Sequence, residues 1–132
     1  MAANKTSLSA GEIIRAVLLD DPGVSALVSN IYPIVQVSEE ALLPYVSYRR
    51  AELEAFPQKS GQPGADTVQV EINCFAEKYA ESVEIAEAVR AALDCVSAEH
   101  GGMTMRGCYM SASQEDYQDG AFIQQLIFNI KI

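Results

Sequence analysis

The chain has one histidine, His100, and three cysteines, Cys74, Cys95 and Cys108, among 18 acidic and 9 basic residues. Any catalytic or metal site would have to be built from these groups. A Ser–His–Asp device needs its histidine held firmly against a nucleophile. His100 instead stands beside Gly101 and Gly102, at what reads as the end of a helix, where a positive charge is mildly favourable. Zinc needs histidine and cysteine at coordinating spacing, and Cys95 and His100 have no further pair near them. Two carboxylates do acid–base work when their surroundings push their pKa values apart. Glu52, Glu54, Glu81, Glu84, Glu87, Glu115 and Asp116 all fall on expected wet faces or turns. Glu87 and Arg90 are spaced as an i,i+3 helix pair. Gly61–Gln62–Pro63–Gly64 lacks the Lys-Ser/Thr ending of a phosphate loop. The reading is of a protein that is not an enzyme, with no catalytic residue, no metal and no cofactor.

The remaining chemistry is that of contact. Arg49 and Arg50 are neighbours in an expected strand, so they point to opposite faces. One of them is available for an ion pair, within the domain or across a subunit boundary. Tyr32, Tyr45, Tyr48 and Tyr79 read as amphipathic residues at the core's edge. An odd cysteine count without CxxC argues for reduced thiols made in a cytoplasm. Cys74 and Cys95 fall on expected core faces as small buried hydrophobes.

The elements that must position these residues follow from patterning. Residues 1–7 read as a loose tail. Ser9 and Glu12 form a capping box for a helix through Ile14, Val17 and Leu18 that stops at Asp20–Asp21. Asp21 then caps a new helix that Pro22 can open, a short one over Val24 to Val28 that Asn30 ends. Residues 31–33 are extended, and 36–43 a loop. A strand follows over 44–56, and a Pro/Gly loop over 57–66. Val68, Val70, Ile72 and Cys74 alternate with Gln69, Glu71 and Asn73, the pattern of a strand with one buried face. A helix runs from Tyr79 to about Ala98, with a stripe including Ile85, Val89 and Leu93. Strands over 103–113 and 121–131 flank a turn at 114–120. In the last strand Phe122, Leu126, Phe128 and Ile130 share one face. The other carries Ile123 and Ile127 with Gln125, half apolar and suited to a partner. The order α-α-β-β-α-β-β predicts an α+β domain: a mainly antiparallel four-stranded sheet with helices packed on one face.

The 132 residues fit one domain. Apolar residues make up 49% and charged residues 20%, ordinary globular usage. A formal charge of −9 lacks the basic footprint of nucleic-acid binding. The N-terminus lacks the pattern of a signal peptide, and no apolar run approaches the length of a membrane helix.

Taken in order, DDPGVSALV (20–28), IYP (31–33), LPYVSYRR (43–50), VQVEINCFAEKYAES (68–82) and VEIAEAVRAAL (83–93) resemble the tail-completion or tail-terminator proteins of long-tailed phages and prophages. The resemblance spans residues 8 to 132. It implies a structural protein of the virion tail, made in the bacterial host cytoplasm. It further implies a ring of identical subunits, typically a hexamer, on the head-proximal end of the tail tube. Such a ring stops tube growth and meets the tail tube protein on one side and the head connector on the other, with DNA passing through unbound. A ring needs two different sticky faces on each subunit. Candidates are Ile123, Gln125 and Ile127 on the last strand, Gln58 and Lys59 in the 57–66 loop, and Arg49 and Arg50. The alternatives are another small neck or tail adaptor and a cytoplasmic ligand-binding α+β domain.

Overall fold

The computed structural model describes residues 6–28, 30–34, 42–55 and 66–132. After a 3-10 turn at Ser7–Ser9, the chain forms α1 (Ala10–Asp20) and α2 (Pro22–Ser25). It continues through β1 (Asn30–Pro33), β2 (Tyr45–Glu54), β3 (Thr67–Ala76) and α3 (Tyr79–Leu93). It ends with β4 (Ala98–His100), β5 (Met103–Met105), β6 (Gly107–Gln118) and β7 (Ala121–Lys131).

Five strands form one sheet in the order β1-β2-β3-β7-β6, and β4 and β5 form a separate hairpin. The expected four-stranded, mainly antiparallel sheet is therefore wrong. The sheet is mixed, because β1 runs parallel to β2 with Asn30 opposite Tyr45 and Pro33 opposite Tyr48. Strands, rather than helices, dominate the described residues. The segment read as merely extended at 31–33 is a strand that exists through its pairing with β2. Four residues carry too little alternation to announce it.

Five local expectations also change. Ser9 makes no side-chain cap; the 3-10 turn leads straight into α1, and Thr6 caps that turn instead. α3 ends at Leu93, where Asp94 turns extended, accepts the Met110 N–H at 3.1 Å and pairs with Arg90 at 3.4 Å. Arg90 thus reaches Asp94 rather than the expected Glu87. Gly101 and Gly102 (φ 60° and 81°) turn the β4–β5 hairpin, so His100 ends a strand and not a helix. Two adjacent positive-φ glycines are what a two-residue hairpin turn demands. Cys95, read as core, is exposed at φ 63° just past α3, whereas Cys74 and Cys108 are buried. Burial raises the Cys74 thiol well above its ordinary range and pushes the Cys108 thiol up to about 12. Asp21 caps α2 as its spacing requires, accepting the Val24 N–H at 3.0 Å.

The core lies between one sheet face and the helices. Val68, Val70, Ile72 and Cys74 on β3 meet Leu126, Phe128 and Ile130 on β7, under Ile13, Ile14 and Leu18 of α1 and Ile85, Val89 and Leu93 of α3. β3 alternates between half-buried and buried along all ten residues. One face of the sheet is thus committed to the core, and the other is left to form a surface.

Candidate assembly surface

The outer face is built from the residues that alternate away from the core. On β3 these are Thr67, Gln69, Glu71, Asn73 and Phe75. Cross-strand pairing sets Glu71 between Arg49 on β2 and Ile127 on β7, Asn73 between Ser47 and Gln125, and Phe75 between Tyr45 and Ile123. Of the seven residues proposed for contact, Arg49, Ile123, Gln125 and Ile127 therefore share this face. Arg50 lies on the helix side, where its Nη1 donates to the Leu8 carbonyl at 2.9 Å. Gln58 and Lys59 lie outside the described residues.

Midway along the outer face is a polar network centred on Glu71. Arg49 donates to Glu71 Oε2 through Nη2 at 2.9 Å and Nε at 3.3 Å. Gln125 donates to Oε1 at 2.7 Å, and Asn73 to the same oxygen at 3.3 Å. Glu71's side chain is 16% exposed. Burial pushes its carboxyl pKa up, but the hydrogen bonds from Arg49, Asn73 and Gln125 and the Arg49 charge outweigh it. The pKa is held below the ordinary 4.5. A carboxylate with a depressed folded-state pKa adds stability above its unfolded pKa and loses it as pH falls through the folded one. Glu71→Gln is accordingly expected to cost about 1–2 kcal/mol at neutral pH and little in acid. Denaturant unfolding at a series of pH values measures this. An equal loss at every pH would show that the charge is not what matters.

Toward Phe75, at the C-terminal end of β3, the face turns apolar. Tyr45 stacks on Phe75 with centroids 4.7 Å apart, and Tyr32 meets Tyr45 edge-on at 5.7 Å. Beside them a cleft of about 350 Å³ runs between Phe75 and Ile123 on one side and Gln114 and Asp116 of β6 on the other. Sequence reasoning found Ile123 and Ile127 but missed Tyr45 and Phe75 as their neighbours. The signal was present, since the β3 alternation carried past Asn73 puts Phe75 outward. On the helix side Tyr79 and Gln124 both donate to Glu115 Oε2, at 2.9 and 3.0 Å. Glu115, read as a turn residue, is thus tied into the packing between β6 and α3. Among the described residues no group of histidine, cysteine or acidic side chains is arranged to hold a metal. No described helix is long and apolar enough to cross a membrane.

The sheet thus has one buried face, a half-apolar outer face and, among the described residues, an edge strand β6 with no strand beyond it. Among solved structures, the chain is similar to one from the virion of a native gene transfer agent particle, with a TM-score of 0.79 and 19% identity, covering 96% of this chain and 98% of that one. No curated protein matches it. The family model for tail completion protein gp17 matches residues 12–130, and the chain belongs to that family. It is a structural protein of the phage tail and neck, and its place is in the virion.

Proposed function

We propose that this protein forms a ring, probing for no substrate and doing no chemistry, on the head-proximal end of the tail tube. There it ends tube growth and offers the head connector a docking surface. The observation that supports this reading best is the tail-completion match along nearly the whole chain. The hexameric count, the tail tube protein and the head connector as neighbours, and action as a single unit over residues 1–132 belong to the same proposal. The sheet supports it physically. A ring subunit needs two unlike contact surfaces, and here a half-apolar outer face and the far edge of the sheet are available. A strongly acidic subunit also suits a channel that DNA must cross without sticking, since like charge repels the phosphates.

A neck adaptor of the same build is the competing reading, and tail length separates the two. Particles lacking this protein should show overlong tubes by electron microscopy if it terminates growth. Tubes of normal length would overturn the terminator role in favour of the adaptor. Light scattering across a concentration series, with and without cognate tail tubes, tests ring formation directly.

A further inference from the structure

We propose that the cleft between the C-terminal end of α1 and β4 is a docking groove for a lysine- or arginine-bearing segment of a neighbouring protein of the virion. This rests on the place between tube and connector proposed above, and names the chemistry of one neighbour. The cleft measures about 600 Å³. Its floor is Ala16 and Val17 of α1, with Val96 just before β4 and Ala98 at its start. Val17, Val96 and Ala98 are partly buried and pack against the core beneath. The floor is therefore an outer layer of the core left open to solvent. Three carboxylates stand around it: Asp20, Asp21 and Glu99.

Two of these charges are not used by the fold. Asp21 has one oxygen taken, by the Val24 N–H that it caps. The described ion pairs, Arg49–Glu71 and Arg90–Asp94, involve neither Asp20 nor Glu99. Among the described residues both carboxylates are without a partner, and both residues are exposed. Asp20 is also the last residue of α1, an 11-residue helix with no basic residue in its last turn. The C-terminal end of a helix carries partial negative charge, so a carboxylate there is set against its own helix. A local conflict of this kind is expected at a contact, where the gain lies outside the fold.

Charge and surface together select the occupant. A lysine or arginine lays its methylene stem along an apolar floor and keeps its charged head at a polar rim. A free cation makes no use of such a floor, and among the described residues no group of acids is arranged to hold a metal. DNA is repelled by the same carboxylates. A second copy is a poor source of the cation. Most of its described basic residues, Arg49, Arg50, Arg90 and Lys131, are engaged within the chain. The chain also has 18 acidic residues to 9 basic ones. The groove therefore faces a different protein, through a basic side chain flanked by apolar ones, and its acidic rim selects and draws in that partner.

The test offers purified cognate tail tubes and purified cognate head connectors to wild type, to Asp20→Lys with Glu99→Lys, to Ala16→Trp, and to the control Glu84→Lys with Glu87→Lys. The control makes the same charge change at exposed positions of α3. Co-sedimentation reads capture, light scattering reads self-association, and thermal unfolding verifies each fold. One of the two probes is expected to capture wild type, and less of it as salt rises. Reversing the rim should weaken that capture by about tenfold or more. It should not lower the unfolding temperature, because lysine suits the end of α1. Ala16→Trp, which fills the floor and leaves the charges, should weaken capture too, and the control should bind like wild type. Capture of either groove variant at wild-type strength, or a control that loses as much, would overturn the groove and leave the place between tube and connector standing. Self-association lost with capture intact would give the groove to a second copy and overturn the proposal as well. Wild type captured by neither probe would overturn that place and the groove with it.

Discussion

Phe128→Ala is expected to cost about 3–5 kcal/mol of folding stability. Phe128 has no exposed surface and is the largest fully buried side chain among the described residues. It lies in the second half of β7, opposite Val70 on β3 and Met110 on β6, and so joins three strands at one level. Truncation removes a ring's worth of transfer free energy and leaves a cavity. The flanking strands cannot close that cavity, because their spacing is fixed by backbone hydrogen bonds. A domain of this size is stable by only about 5–15 kcal/mol, so the loss would take up much of the margin. Chemical denaturation should show a lower midpoint with an unchanged slope. A loss below about 1 kcal/mol would mean that α3 settles into the gap, and that the sheet–helix interface is softer than its burial suggests.

How far the fold was legible depended on whether a residue's environment was set by its neighbours in sequence. β3 was readable because its two faces meet different surroundings, core on one side and outer surface on the other, and alternation records that difference. β6 was misread for the opposite reason. Beyond its bulge both faces are exposed, so Gln114–Gln118 carries no hydrophobic alternation and resembles a turn. The usable signal was Asp119–Gly120, with φ of 53° and 81°, the dipeptide that a two-residue hairpin favours. β1 could not be found locally, since a parallel partner further along the chain leaves no mark in four residues. α3 was drawn too long because Val96 and Ala98 continue its apolar spacing, whereas Asp94 is pulled away by Met110 on β6. The outer-face contact residues were half legible. Ile123, Gln125 and Ile127 declared themselves by sharing one face of a strand. Their grouping with Arg49 and Glu71 needed the strand order, which sequence spacing does not hold.

The parity of β3 leads to the second large effect. Ile72→Lys is expected to leave little folded protein at 25 °C, whereas Gln69→Lys, three residues away on the same strand, should change stability by less than about 1 kcal/mol. Ile72 is fully buried, between Tyr48 on β2 and Leu126 on β7. Lysine there forfeits about 2–5 kcal/mol of packing and must also either desolvate an ammonium or give up its proton, at a cost of several kcal/mol more. The sum rivals the whole stability of a small domain. Gln69 lies on the outer face, opposite Glu52 on β2 and Asn129 on β7. A cation at that position gains an acidic cross-strand neighbour and reduces the net charge of an acidic chain. Far-ultraviolet circular dichroism and denaturant unfolding of the two variants distinguish the cases. If Ile72→Lys folded with near wild-type stability, the core could not lie on the helix side of the sheet. The outer face would then lose its claim to be the surface left free for assembly. If both behave as expected, residues on the outer face can be changed one at a time, and any defect in assembly can be read as a defect of contact rather than of folding.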